Sequence, residues 1–184
     1  GEALKQVLVA CSTDRSRPVL CCVLVESNEA GVRLVTADGF KLLVCELPVQ
    51  QAPGPGQWLL PSRAAAVASR LLLKSAVPAV LVFSPSKVSL SLSIDDHTDM
   101  VARLELGTFP NYAALVPGNY PSTWEVDRQE LLDAVQAARV IASQGSGIVQ
   151  LIGTDTSDML LVKAKVEEVG EFEAKVACQQ QGEP

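Results

Sequence analysis

The feature that most constrains the fold is a recurrence. Three helix-forming segments begin near residues 3, 62 and 127, and short apolar runs suited to strands follow each one. A period of about 60 residues is that of a supersecondary unit stacked in a modular α+β array, not of a single closed enzyme core.

In the first unit, Leu4, Val7, Leu8 and Cys11 line one helical face of Glu2–Cys11. Val19–Glu26 then reads as a buried strand, Ser27–Gly31 as a loop and Val32–Ala37 as a second strand. Asp38-Gly39 is a tight-turn signal, and Phe40–Glu46 forms a third strand. Pro48 to Gly56 is irregular, because Pro53-Gly54-Pro55-Gly56 cannot sustain regular structure.

The second unit reads as a strand at Gln57–Leu60, a helix at Arg63–Lys74, and strands at Ala79–Ser84, Lys87–Ile94 and Met100–Leu106. A Ser-Pro-Ser turn joins the first two of these three strands. Val88, Leu90, Leu92 and Ile94 are expected to face one way and Ser89, Ser91 and Ser93 the other.

Phe109 to Tyr112 and Pro117 to Pro121 form a linker. In the third unit a strand at Thr123–Val126 leads to a helix. Asp127 is its N-cap, with Glu130 three residues on. Strands at Ile148–Ile152, Met159–Val166 and Glu171–Cys178 precede a polar tail, Gln179 to Pro184. Sheets built from such triplets, each with one helix, place the helices on one face.

The 184 residues are 48% apolar and 20% charged, so the chain folds instead of remaining disordered. No apolar run is long enough to cross a membrane, and no signal-peptide pattern opens the sequence. With 15 basic against 21 acidic residues the net charge is −6, which excludes a surface that grips nucleic acid all over. A local basic face remains open. Arg63, Arg70 and Lys74 share one side of the second helix, which carries no acid. Lys5, Arg15 and Arg17 add to the first segment, and Arg128 and Arg139 to the third helix. These residues read either as a solvated face or as one turned to DNA.

Cys11, Cys21, Cys22, Cys45 and Cys178 are odd in number and lack a Cys-x-x-Cys spacing. They read as buried free thiols of a reducing cytoplasm, not a disulfide or metal framework. His97, the only histidine, lies in Asp95-Asp96-His97-Thr98-Asp99 and reads as an exposed turn. No nucleophile elbow or phosphate loop is present, so no catalytic residue, metal or cofactor is expected. Trp58 and Trp124 each begin a unit's leading strand and read as packing between units.

Four motifs occur in a telling order: Arg17-Pro18-Val19-Leu20, Leu34 through Leu42, Phe109-Pro110-Asn111-Tyr112 with Val116-Pro117, and Glu125 through Leu132. Together, on this repeat, they resemble the bacterial DNA polymerase III β subunits, the replicative sliding clamps. The resemblance implies repeated βαβββ half-domains of the DNA clamp fold, with sheets outside and helices lining a hole. It implies a middle-type domain at 1–117, made of half-domains 1–50 and 57–117, and half of a further domain at 122–184. The family's first domain and final half-domain have no counterpart here, and the first unit has no leading strand.

The resemblance further implies a non-enzymatic processivity factor of DNA replication in the cytoplasm. Such a factor holds double-stranded DNA loosely and without sequence preference, and assembles as a homo-oligomer. It tethers DNA polymerase, clamp loader or repair proteins through short linear peptides. The alternative is a clamp-derived peptide-binding module that does not encircle DNA. Positions matching the family's peptide groove are Leu20, Ala37, Gly39, Phe40, Lys41, Leu42 and Pro117. The family usually carries Thr-Asp-Gly, then His or Tyr, then Arg, where this chain carries Ala37-Asp38-Gly39-Phe40-Lys41. A hydroxyl and a planar guanidinium are therefore replaced. Without the resemblance, Leu20, Phe40 and Leu42 would read as hairpin core.

Overall fold

The structure, a computed structural model, describes residues 1–29, 31–47, 54–84, 86–154 and 158–182. Ala30 of the expected loop, 48–53 of the irregular stretch, Pro85 of the Ser-Pro-Ser turn and 183–184 of the tail lie outside the described residues. The chain divides into two compact units, Gly1–Leu115 and Val116–Pro184.

The first unit holds helix α1 (Glu2–Val7), strands β1 (Cys22–Asn28), β2 (Gly31–Ala37), β3 (Leu42–Leu47) and β4 (Gly56–Pro61), helix α2 (Ser62–Lys74), and strands β5 (Val80–Phe83), β6 (Ser89–Asp95) and β7 (Thr98–Arg103). The strands form two antiparallel sheets, ordered β3-β2-β1-β4 and β5-β6-β7. The helices touch each other; α1 packs on β2 and β3, and α2 on β1, β4 and β6. Ala65 and Ala68 are the buried residues that bring α2 close, since a methyl group lets a helix approach a sheet tightly. One core joins these layers: Leu4 and Val7 meet Val23, Val25, Val32 and Leu34 of the first sheet and Leu90, Leu92 and Ile94 of the second. Each such side chain contributes about 1.5–3 kcal/mol on burial.

Three expectations for this unit need correction. The run Val19–Glu26 is not strand throughout, because Pro18 opens a 3₁₀ turn, Pro18–Cys21, and the strand starts at Cys22. A proline at the first position of a helical turn has its φ preset and loses no bonded N–H. The third strand begins at Leu42, so Phe40 belongs to the turn. Val88 does not share the buried face of Leu90, Leu92 and Ile94 but is 45% exposed, since it precedes β6 at a turn where Lys87 adopts a φ of 57°.

Pairing departs from the simple triplet as well. The strand that leads α2 joins the sheet of the preceding triplet, with Val23 opposite Leu60 and Val25 opposite Trp58. This places Trp58 and Leu60 in the common core.

The second unit holds β8 (Ser122–Val126), helix α3 (Arg128–Ala142), β9 (Gln150–Gly153), β10 (Met159–Val166) and β11 (Gly170–Gly182), in the sheet order β8-β11-β10-β9. Asp127 caps α3 as expected, its Oδ1 accepting from the amides of Gln129 at 2.8 Å and Glu130 at 2.9 Å. The apolar side of α3 (Ala138 and Ala142, flanked by Leu131, Ala134 and Val135) covers Val162, Ala164 and Val176. Gln179 to Gly182 are not a free tail. They extend β11 and pair with β8, Gln179 opposite Glu125 and Gln181 opposite Thr123. Backbone pairing needs no apolar side chain, so polar glutamines serve. Trp124 lies against Gly153, where an added Cβ would come within 2.8 Å of the indole.

All five cysteines are free, but only Cys22 and Cys178 are buried; Cys11, Cys21 and Cys45 are half-buried. Each of those three lies beside turn or edge backbone, which leaves part of its surface open. No described helix is long and apolar enough to cross a membrane.

Candidate peptide groove and basic surface

Leu20, Ala37 and Leu42 converge although 22 residues of chain separate the first from the last. The 3₁₀ turn carries Leu20, the end of β2 carries Ala37 and the start of β3 carries Leu42. All three pack in a second apolar cluster with Cys22, Leu24, Val35, Leu59, Phe109 and Tyr112. Leu20 is buried, whereas Ala37 and Leu42 are half-buried and present an apolar edge to solvent.

The turn between β2 and β3 is built around Asp38. Its Oδ1 accepts from the backbone amides of Phe40 at 2.9 Å and Lys41 at 2.8 Å, and its Oδ2 meets Lys41 Nζ at 3.0 Å. The bonds from the Lys41 and Phe40 amides hold the Asp38 carboxyl down to about 2. Gly39 takes a φ of 97°, a left-handed conformation that only glycine adopts without strain. Lys41 Nζ also donates to the Val9 carbonyl at 3.2 Å, which ties the turn to the segment after α1.

This geometry projects Phe40 outward, and its side chain is 97% exposed. It is not hairpin core. Val9, 67% exposed, is the neighbouring apolar group through the Lys41 bridge. An exposed aromatic ring next to a half-open apolar cluster is an anchor for an apolar partner, and no described metal-binding group accompanies it. Pro117 belongs to the second unit and is exposed.

The basic residues sort into three settings. Lys5 on α1 and Arg63, Arg70 and Lys74 on α2 are exposed on adjoining helices. Among the described residues, none of these four enters an ion pair. Arg128 and Arg139 are exposed on α3. Arg15 and Arg17 lie on the loop before the 3₁₀ turn. Arg17 pairs with Asp14 at 3.3 Å and stands beside the turn, 3.5 Å from where a Cβ at Gly39 would sit. Its cation thus belongs with the groove residues. No local signal announced that proximity, nor the roles of Val9 and Phe109. His97 is exposed in its turn, where its amide donates to Asp95 Oδ1 at 2.9 Å.

Comparison with known proteins places this geometry. Residues 1–122 match the family model described as DNA polymerase III beta subunit, central domain. The beta sliding clamp of Synechocystis sp. is 22% identical over 195 residues, taking in 100% of this chain and 50% of that protein. That of Synechococcus elongatus is 24% identical, covering 100% of this chain and 49% of that protein. Among solved structures, the DNA polymerase III beta subunit of Thermotoga maritima superposes with a TM-score of 0.87 at 25% identity, over 99% of this chain and 48% of that one. The chain spans about half the length of the curated relatives it matches. With a family model covering most of its residues and the clamp fold throughout, the chain belongs to the DNA polymerase III beta subunit family.

Proposed function

We propose that this chain works within a sliding-clamp-type processivity factor, tethering polymerase, clamp-loader or repair proteins to duplex DNA and carrying out no reaction itself. Residues 1–117 serve as a clamp middle domain and 122–184 as half of the next. Assembly into a homo-oligomer in the cytoplasm completes the device.

The observation that carries this reading is Phe40, exposed on its turn beside the Leu20, Ala37 and Leu42 cluster. Apolar anchors of a short extended peptide would bury that ring and the cluster edge. Lys41 and Arg17 supply cations at the rim for a polar or acidic residue of the same peptide. DNA is held differently. A sliding protein needs few firm phosphate contacts, because each one adds affinity and salt dependence. Lys5, Arg15, Arg17, Arg63, Arg70 and Lys74 in the first unit, and Arg128 and Arg139 in the second, are exposed cations on a net acidic chain, which suits loose association.

The test is a pair of fluorescence-anisotropy titrations on the intact protein. One uses a fluorescein-labelled peptide with adjacent leucine and phenylalanine anchors, the other a labelled DNA duplex. Saturable peptide binding that Phe40→Ser weakens, and duplex binding that fades with added salt, are expected. Absence of peptide binding would defeat the groove reading.

A further inference from the structure

The groove residues do not stand on the first sheet alone. Phe109, only 7% exposed, lies in the same cluster as Leu20, and Tyr112 packs against it. Both come from the segment that closes the first unit. Among the described residues, no backbone hydrogen bond ties Leu106 to Asn111 to the sheets; the last such tie is the Glu105 amide to the Leu59 carbonyl at 2.9 Å. Side chains must hold this stretch in place.

One side chain does so across 86 residues of sequence. The Tyr112 hydroxyl donates to Glu26 Oε2 at 2.6 Å. The other carboxylate oxygen, Oε1, accepts from Gln57 Nε2 at 2.7 Å. Arg33 acts electrostatically on both Glu26 and Tyr112 and pairs with Glu46 Oε1 at 3.0 Å. Neighbouring strands β1, β2 and β4 thus each commit a polar side chain to one phenol or to the carboxylate beneath it. The Tyr112 bond is the main reason the Glu26 carboxyl sits below its ordinary range, while burial raises the phenol. Both groups therefore keep their bonding states near neutral pH.

We infer that Tyr112 is a positioning residue for peptide binding: its hydroxyl, held by Glu26, pins the segment from Phe109 to Leu115 onto β1 and keeps Phe109 seated behind Leu20 and Leu42. The inference rests on the peptide-groove reading above. Without the bond the segment opens more often, and a groove whose competent state is less populated binds proportionally more weakly.

The experiment measures anisotropy of the same fluorescein-labelled Leu-Phe peptide on wild type, Tyr112→Phe, Glu26→Gln, Glu26→Ala and Ser69→Ala. Amide hydrogen exchange across 110–115 is followed in parallel. Ser69 is the control, a buried residue whose hydroxyl bonds the Gly1 carbonyl at 3.0 Å, away from the cluster. Tyr112→Phe is expected to weaken peptide binding about fivefold and to speed exchange in 110–115. Glu26→Gln, which keeps an acceptor for the phenol, should retain more affinity than Glu26→Ala. Ser69→Ala should lose stability with no change in affinity. The inference is overturned if wild type binds and Tyr112→Phe binds equally well, or if Ser69→Ala loses as much affinity as Tyr112→Phe. A wild type that binds no peptide instead defeats the groove reading itself, and this inference with it.

Discussion

Trp58 on β4 and Phe83 on β5 stack with ring centroids 4.2 Å apart and planes inclined by 24°. The contact bolts the two sheets of the first unit together, and the indole is 8% exposed. Trp58→Ala should therefore cost about 3–5 kcal/mol, as for other buried aromatics cut back to a methyl. Urea denaturation of both proteins measures it. A loss under 1 kcal/mol would mean that the stack is incidental.

Thr36 lies fully buried in β2, and its Oγ1 donates to the Val7 carbonyl at 2.6 Å, fastening the end of α1 to the sheet. Thr36→Val keeps the shape and leaves that carbonyl without its donor, at a cost of about 1–3 kcal/mol. Thr36→Ser keeps the hydroxyl and should lose less. If the two variants melt in the opposite order, packing outweighs the hydrogen bond.

The Asp38 turn has a defined acid limit. Its carboxyl titrates near about 2 when folded, below the value of about 3.9 for a free aspartate. A depressed folded value means that the stabilisation is complete above the unfolded value and disappears as pH falls through the folded one. The amide resonances of Phe40 and Lys41 should thus hold steady down to about pH 4 and shift together near pH 2. A midpoint close to 4 would show that the turn does not favour the carboxylate.

Phe40 separates function from stability. Because its side chain is 97% exposed, Phe40→Ser should change folding stability by less than about 0.5 kcal/mol. Peptide affinity should fall at least tenfold, the effect of losing a buried aromatic anchor. Equal affinity for the two proteins would show that the ring lies outside the contact.

What could be read in the sequence followed distance along the chain. The α3 cap at Asp127 and the alternation of Leu90, Leu92 and Ile94 are local patterns, and both appear in the structure. The Asp38 turn was legible for the same reason. Pairing partners were not: nothing near Trp58 says that its strand lies on β1, because that choice is made by a shared core. Gln179 to Gln181 look like a solvated tail since their backbone, not their side chains, pairs with β8. At the site, the resemblance led to Leu20, Ala37 and Leu42, which do meet in one cluster. Arg17, read from the sequence among the DNA-facing residues, also flanks Gly39, a proximity that no local pattern announces. The Tyr112–Glu26 bond has no local signature at all, being formed by residues 86 positions apart.

The placement of β4 makes the first unit an interlocked pair. Scission of the peptide between Leu47 and Gly56 would yield two fragments laced together by six residue pairs, from Cys22 with Pro61 to Ser27 with Gly56. The amino-terminal fragment alone would bare the β1 edge, and the carboxyl-terminal one would lose the floor beneath α2. Neither half is a self-sufficient module, so a gene cut at the repeat boundary encodes complementing pieces instead of two small proteins.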